Sequence, residues 1–398
     1  MMKIPDHILK VLSVLENNGF EGYLVGGCVR DAKMGIEPHD FDLTTNATPY
    51  EMLDIFKDYR IIETGLKHGT VTVVSDGENV EITTYRIDGE YLDNRRPEEV
   101  YFTRNLKEDL SRRDFTVNAF AYSPSKGFVD MFGGEDDLKN KIIRCVGEAD
   151  KRFNEDGLRI MRALRFASCL GFRIENDTSE SIFKSKYLLK NISVERIYSE
   201  FKRLVCGVDA GKIIKNYIEV FAAANERIND CADLFAENAK KIHKIKTGYL
   251  TRIAALFYGS KKDLAKKFMK DMKADNYAIG FVSDLHRLSF CKIDADKISI
   301  RRLMGDFEDE FILSLADLKG IFDSDFNRDS FVKEYKTQKD LNPCVKLRQL
   351  KVTGQDIISF GIEKGPRVGE VMSEVLNAVI EERCANDYES IKSFVMKR

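Results

Sequence analysis

The alternation of apolar and polar positions changes character along the chain. "MMKIPDHILKVLSVLENNGF" has the spacing of a short amphipathic helix. "EGYLV" then reads as a short strand, "VRDAKM" as a helical turn and "DFDLTT" as a second strand. "PYEMLDIFK" predicts a helix with Thr48 as N-cap and Pro49 at its first position, where a missing N–H costs nothing. In "GTVTVVSDGENVEITTYR", Val71, Val73, Val80 and Ile82 alternate with polar residues on either side of Asp76-Gly77, the pattern of a hairpin with a tight turn. These elements predict an α+β head.

Beyond the head the pattern becomes helical. Five of the seven prolines precede residue 125, and residues 125 to 342 contain none, as a long helical region requires. "EADKRFNEDGLRIMRALRFASCLGFRIE" predicts helix throughout, with Leu158, Ile160, Met161, Leu164 and Phe166 as its apolar positions. "LRQLKVTGQDIISFGIEKGPRVGEVMSEVLNAVIEE" predicts two helices joined by a glycine-rich turn from Gly361 to Gly369.

Composition adds boundaries. A chain of 398 residues, 43% hydrophobic and 32% charged, is long enough for several folded domains. It has no apolar run of membrane-spanning length and no signal-peptide core near its start. Eight scattered cysteines without a CxxC read as reduced thiols of a cytoplasmic protein. The five histidines form no metal-like spacing. A net charge of −2 argues against a uniformly basic surface, yet Lys240 to Lys273 holds eleven Lys or Arg against two acids. That stretch is either a solvated helical face or a local track for nucleic acid.

Three clusters carry candidate chemistry. In "LVGGCVRDAKMGIEPHDFDLTT", Asp40 and Asp42 are two apart, which on a strand points both carboxylates the same way. Two such anions suit a divalent ion that completes its shell with substrate phosphates. Gly26 and Gly27 allow backbone to approach phosphate closely, and Arg30 follows on the next turn. In "SRRDFTVNAFAY", Arg112 and Arg113 either bind phosphate or pair with Asp109 and Asp114. In "EDGLRIMRALRF", Asp156, Arg159, Arg162 and Arg165 recur every three residues, so on one helix Asp156 and Arg159 are neighbours. A carboxylate only accepts and a guanidinium only donates hydrogen bonds. Such a pair matches the amine and ring nitrogen shared by cytosine and adenine and disfavours uracil and guanine.

These motifs, with "FVDMFGGEDDLKNKIIRCVGEADKRFNEDGLRIMRALRFA" and "ISVERIYSEFKRLV", resemble in order those of the class II tRNA nucleotidyltransferases. That family comprises CCA-adding enzymes, CC- and A-adding relatives and bacterial poly(A) polymerases. The likeness is dense over residues 20 to 205 and returns in "LKVTGQDIISFGIEKGPRVGEVM". It implies a polymerase-β-like nucleotidyltransferase head (1–142), followed by an all-helical neck (143–206), body (207–335) and tail (336–398). It implies Mg²⁺ on the catalytic Asp40 and Asp42, and triphosphate contacts from Gly27, Arg30 and Arg113. Base recognition falls on Asp156 and Arg159, with Arg162 and Arg165 as further nucleotide contacts. Glu81 is a candidate third carboxylate. The expected activity is template-independent addition of C, C and A to tRNA from CTP and ATP, with tRNA gripped by the body and tail. No protein partner is implied. "IDGEYLDNRRPEEVYF" resembles the loop of enzymes that add the terminal A. A-addition alone, a poly(A) polymerase, or a catalytically silent RNA-binding protein on this scaffold are the alternatives.

Overall fold

A computed structural model describes residues 2–63, 65–89 and 99–397. The chain divides into two compact units, Met1–Ala232 with Asp271–Lys273, and Asp233–Lys270 with Ala274–Arg398. Residues 1–206 thus fall within the first unit and 336–398 within the second, while 207–335 contributes to both.

The first unit is built on a seven-stranded mixed sheet. Its strands are β1 (Gly22–Val25), β2 (Asp42–Thr45), β3 (Arg60–Ile62), β4 (Thr70–Ser75), β5 (Glu78–Thr84), β8 (Phe120–Ser123) and β9 (Gly127–Asp130), in the order β3-β4-β5-β2-β1-β8-β9. Neighbours are antiparallel except β2 and β5. Helices α1 (Asp6–Asn17), α2 (Gly27–Lys33) and α3 (Pro49–Ile55) accompany them. Val11 and Leu15 of α1 and Met52 of α3 share one core with Leu24, Leu43, Val71, Val73, Val80 and Ile82. The alternation of β4 and β5 therefore buries one face of the sheet, as the sequence pattern requires.

The predicted hairpin forms with Val73 opposite Val80. Asp76 and Gly77 have φ of 52° and 87°, the left-handed pair that a two-residue hairpin turn needs. Thr48 caps α3: its side chain accepts from the Glu51 N–H, and the Glu51 carboxylate accepts from the Thr48 N–H at 2.7 Å.

A two-stranded ribbon pairs β6 (Arg86–Asp88) with β7 (Val100–Phe102), and α4 (Leu106–Ser111) and α5 (Gly134–Lys139) follow in the same unit. The ribbon strands flank the middle of "IDGEYLDNRRPEEVYF", whose residues 90–98 lie outside the described residues. A second small parallel pair joins β10 (Ile142–Ile143) to β11 (Arg173–Ile174). Beyond it the unit is helical, with α6 (Ala149–Glu155), α7 (Leu158–Leu170), α8 (Asn176–Ser185), α9 (Val194–Leu204), α10 (Ala210–Asn216) and α11 (Ile218–Ala224).

Three local expectations are corrected. The strand of "DFDLTT" begins only at Asp42, and Asp40 precedes it in irregular chain. The expected long helix around "NEDGLR" is broken: α6 ends at Glu155, and Asp156 is extended at φ −139° and ψ 104° before α7 begins. Near the C-terminus, the helix of Pro366–Ile380 includes Gly369, so the turn after Gly361 closes by Gly365. Proline with its fixed φ starts that helix, and one interior glycine does not stop it.

In the second unit the described residues are helical. They include most of α12 (Ala232–Ala239), α13 (Tyr249–Leu256), most of α14 (Leu264–Asp271) and further helices to Tyr388–Met396. On α14, Leu264, Ala265, Phe268 and Met269 are buried while Lys266, Lys267 and Lys270 are exposed. These three lysines of the charge run thus form the outer face of an amphipathic helix.

Candidate active site

The turn from β1 into α2 brings the first two clusters together. Gly26 has φ 76° and ψ −129°, a conformation that residues with a side chain rarely adopt, and its N–H donates to the Phe120 carbonyl at 3.2 Å. A Cβ on Gly26 would stand 2.9 Å from Nη1 of Arg113, and one on Gly27 would stand 3.7 Å from Nη2 of Arg30. Gly26 therefore makes room for the Arg113 guanidinium, whereas a side chain at Gly27 would be in ordinary contact with Arg30. Arg112 instead donates to the Asp109 carboxylate at 2.8 Å. Burial lowers the Arg113 pKa below the usual arginine value, with Asp109 opposing, and its Nε has no hydrogen-bond partner.

Asp42 pairs with Val25 at the start of β2. Leu43 packs on the sheet core, so strand alternation turns Asp42 away from it, while Asp40 lies outside the ladder. Leu43 is in register with Ile82 of β5, which places Glu81 beside Asp42 on the same side. Asp42, Glu81, Arg112 and Arg113 line one pocket of about 190 Å³, with Thr44 and Thr83. Asp42 is exposed overall, but crowding of its carboxylate raises its pKa above the ordinary value. Arg113 works against that rise and Asp40 adds to it. Neither aspartate has an ion pair or side-chain hydrogen bond among the described residues.

The arginines of α7 join this region through Asn118 and Glu200, which sequence reasoning passed over, and through Asp114, which it offered to Arg112 or Arg113. Arg30 Nη1 donates to Asn118 Oδ1 at 2.6 Å, and Asn118 Nδ2 donates to Asp114 Oδ1 at 3.1 Å. Asp114 Oδ2 accepts from Arg162 Nε at 2.8 Å. Glu200 of α9 accepts from Arg165 Nε at 2.6 Å and lies 3.7 Å from Arg162. The guanidinium carbons of Arg30, Arg162 and Arg165 lie 5.2, 5.3 and 3.6 Å from the centroid of the buried Phe166 ring. Burial works to raise the Asp114 pKa, yet Arg162 and the Asn118 amide outweigh it and hold it below the ordinary value. Asp114 and Asn118 are four apart in "RRDFTVNAF" and could have been marked as a polar pair. Nothing local marked Glu200.

Asp156 and Arg159 are not ion-paired to each other as a helical i,i+3 step predicts. The Asp156 carboxylate accepts from Arg196 Nη2 at 2.9 Å and from the Leu158 N–H at 3.0 Å, so it caps the start of α7. Arg159 donates to Glu155 at 2.6 Å and to the Arg112 carbonyl at 3.0 Å. The break at Asp156-Gly157 frees the carboxylate from the helix surface, and Arg196 on α9 takes the place expected of Arg159.

Comparison with known proteins gives this arrangement its lineage. Residues 22–144 match the Poly A polymerase head domain, residues 171–220 the probable RNA and SrmB-binding site of polymerase A, and residues 250–395 a putative tRNA nucleotidyltransferase domain 2. The CCA-adding enzyme of Lactobacillus helveticus is 35% identical over 404 residues, covering 99% of this chain and 98% of that protein. The chain belongs to the CCA-adding enzyme family. The CCA-adding enzyme of Lactococcus lactis subsp. lactis is also 35% identical, over 98% of its length. The crystal structure of the Bacillus stearothermophilus CCA-adding enzyme in complex with CTP matches with a TM-score of 0.84 at 31% identity, covering 100% of this chain and 98% of that one. The fold is accordingly a polymerase-β-like head followed by helical domains.

Nucleotidyltransferases generally use divalent metals. The residues of this family member fit one. Two hard carboxylates lie within electrostatic reach of each other and neither makes an ion pair among the described residues; burial first, with Asp40 adding to it, raises the Asp42 pKa. Among the described residues no three His, Cys, Asp or Glu side chains converge on a common point, so Glu81 shares the pocket without completing a three-ligand set. A pair of protein oxygens leaves the remaining positions to water and phosphate, which is how Mg²⁺ is commonly held. No helix among the described residues is long and apolar enough to cross a membrane.

Proposed function

We propose that this chain adds C, C and A to the 3′ end of tRNA, using CTP and ATP and releasing pyrophosphate. The observation that carries the reading is the pocket that gathers Asp42, Glu81 and Arg113 beside the Gly26-Gly27 turn. The names of full-length relatives, and the CTP in the complex of one of them, support the choice of substrate.

In this reading Gly27, Arg30 and Arg113 hold the triphosphate. The unpartnered Nε of Arg113 is a donor without an acceptor until an anion arrives. Asp40 and Asp42 hold Mg²⁺, which when bound activates the attacking hydroxyl and offsets charge on the leaving pyrophosphate. The tRNA 3′-hydroxyl attacks the α-phosphate in line with the departing group. Asp156 accepts from the exocyclic amine of C or A and Arg159 donates to the neighbouring ring nitrogen, while Arg162 and Arg165 set the nucleotide against α7. For this, Asp156 and Arg159 exchange part of their contacts with Arg196 and Glu155 for the base. Residues 1–142 serve as head, 143–206 as neck, and the body (207–335) and tail (336–398) bind tRNA through phosphates and shape. The exposed lysines of α14 belong to that surface.

The test offers tRNAs ending before CCA, after C and after CC, with CTP and ATP singly and together. Completion of CCA on all three supports the reading. A single A added only to the CC-ended tRNA restricts the enzyme to A-addition, and long A tails identify a poly(A) polymerase. Asp42→Ala should abolish incorporation while the thermal midpoint stays close to wild type; retained turnover in Mg²⁺ refutes the metal assignment.

A further inference from the structure

Helices α7 and α9 lie side by side and run in the same direction, for their contacts advance together along both. Asp156, just before α7, meets Arg196 at 2.9 Å, Arg165 meets Glu200 at 2.6 Å, and Ser168 Oγ donates to the Leu204 carbonyl at 2.7 Å. Where the two helices end, their backbones touch. A Cβ on Gly207 would collide with the Ser168 hydroxyl and carbonyl, and the Asp209 N–H donates to the Ser168 carbonyl at 3.0 Å. Two cysteines adjoin that contact, Cys169 after Ser168 and Cys206 before Gly207. One oxygen serves both: the Arg203 carbonyl accepts from Cys169 Sγ at 3.4 Å and from the Cys206 N–H at 3.2 Å.

The two thiols differ in access. Cys206 is exposed and Cys169 is half-buried, and neither is in a disulfide in this structure. Burial raises the Cys169 pKa above the ordinary thiol value; Arg165 opposes the rise, and Cys206, within electrostatic reach, adds to it. A half-buried thiol that is slow to ionise is not the first to meet an oxidant from solution. Cys206 has the access, and Cys169 has the position from which to displace whatever Cys206 acquires. Contact between the adjoining backbones suits a disulfide, which joins Cα atoms about 4.4–6.8 Å apart.

We propose that Cys169 and Cys206 form a redox switch, oxidised by a low-molecular-weight disulfide to a bond that clamps α7 to α9. The Cys206 thiolate attacks one sulfur of the small disulfide, forming a mixed disulfide and expelling one thiolate. The Cys169 sulfur then attacks Cys206 Sγ, and its proton leaves with the second small thiol. Two protein thiols are oxidised, and one small disulfide is reduced to two thiols. Excess thiol reverses the step, which is how a redox-sensing disulfide is reset. The clamp bears on the nucleotide site because α7 carries Arg159, Arg162 and Arg165, while α9 carries Arg196 and Glu200. Asp156 has to give up part of its contact with Arg196 to meet a base, and a covalent tie at the far end of the helix pair opposes that shift. This consequence rests on the nucleotidyl-transfer reading, whereas formation of the bond does not.

The experiment treats the full chain with glutathione disulfide at about pH 8 and maps its peptides by mass spectrometry without reduction. CTP incorporation is measured before oxidation, after it, and after dithiothreitol. Wild type should yield a peptide pair linked through Cys169 and Cys206. Cys169→Ser should keep glutathione on Cys206, and Cys206→Ser should leave Cys169 a thiol. Oxidised wild type should incorporate CTP at least about fivefold more slowly than reduced, with recovery in dithiothreitol. Cys206→Ser, which retains the exposed Cys291, should keep its rate in the oxidant. Glutathione left on Cys206 of wild type, with no linked peptide, overturns the pairing. A linked protein as fast as the reduced one overturns the switch. Should Cys206→Ser lower the thermal midpoint, Cys206→Ala at the same exposed position decides by the same criteria. If reduced wild type incorporates nothing, the nucleotidyl-transfer reading fails, and the peptide map still decides whether the bond forms.

Discussion

Replacing Gly26 by alanine probes the junction between backbone and chemistry. With φ 76° and ψ −129°, this residue has a conformation that costs an L-residue about 1–3 kcal/mol. The new methyl group would also lie 2.9 Å from Nη1 of Arg113, closer than carbon and nitrogen normally approach. The guanidinium end can retreat by a few tenths of an ångström, but it is hemmed in by burial and by Asp109 at 3.7 Å. The sum should be about 2–3 kcal/mol of lost stability. Retreat of Arg113 should also raise the KM for CTP at least tenfold, since it removes a charge-assisted contact worth more than about 1.4 kcal/mol. Gly27→Ala is the control. Its Cβ would meet Arg30 at an ordinary 3.7 Å, so its stability should stay within about 1 kcal/mol of wild type. Urea denaturation gives the first quantity and steady-state incorporation the second. A Gly26→Ala protein as stable as wild type refutes the strain argument. One that is destabilised but keeps its CTP KM removes Arg113 from the nucleotide site.

Four further outcomes follow from particular contacts. Arg159→Ala should narrow the preference for C and A over U and G by about 1–3 kcal/mol, read from misincorporation ratios; unchanged ratios exclude it from base reading. Lys266→Glu, Lys267→Glu and Lys270→Glu together should weaken tRNA binding, reduce its log–log salt slope by about 2–3, and leave the CTP KM unchanged; equal effects on both substrates refute the track. Because the Asp114 pKa is held below its ordinary value of 3.8, its stabilising contribution is fully present above that pH and is lost as pH falls through the depressed value. Arg162→Met should therefore move acid unfolding to higher pH and cost about 3 kcal/mol at neutral pH, toward the low end for a broken buried pair because Arg162 is 33% exposed; superimposable acid-unfolding curves refute the pairing. Burial pushes the Cys28 and Cys145 thiols up to about 11 and about 12, so at pH 8 alkylation should label the exposed Cys206 and Cys291 first and leave these two unmodified until the chain unfolds, as peptide mass spectrometry would show.

Much of the head was legible in the sequence because its determinants are local. The period-two pattern of Val71, Val73, Val80 and Ile82 needs only its own neighbours to choose a face, and Asp76-Gly77 needs only its own backbone to turn. Thr48, Pro49 and Glu51 form a cap within four residues. The order of Gly26-Gly27, Asp40-x-Asp42 and the arginine clusters likewise carried the resemblance to the family, which the comparison with full-length relatives then bore out. What spacing did not determine was which charge meets which. A regular helix through "NEDGLR" would have paired Asp156 with Arg159, but the chain breaks there, and α9 packing on α7 gives Asp156 to Arg196 and Arg165 to Glu200. The choice between Arg112 and Arg113 also depends on distant chain: Asp109 engages the first at 2.8 Å, and the bare face of Gly26, more than eighty positions away, admits the second. Local periodicity fixes backbone form because its energy arises within a few residues. Ion-pair partners are set by long side chains reaching between elements, and those distances exist only once the sheet and helices have packed.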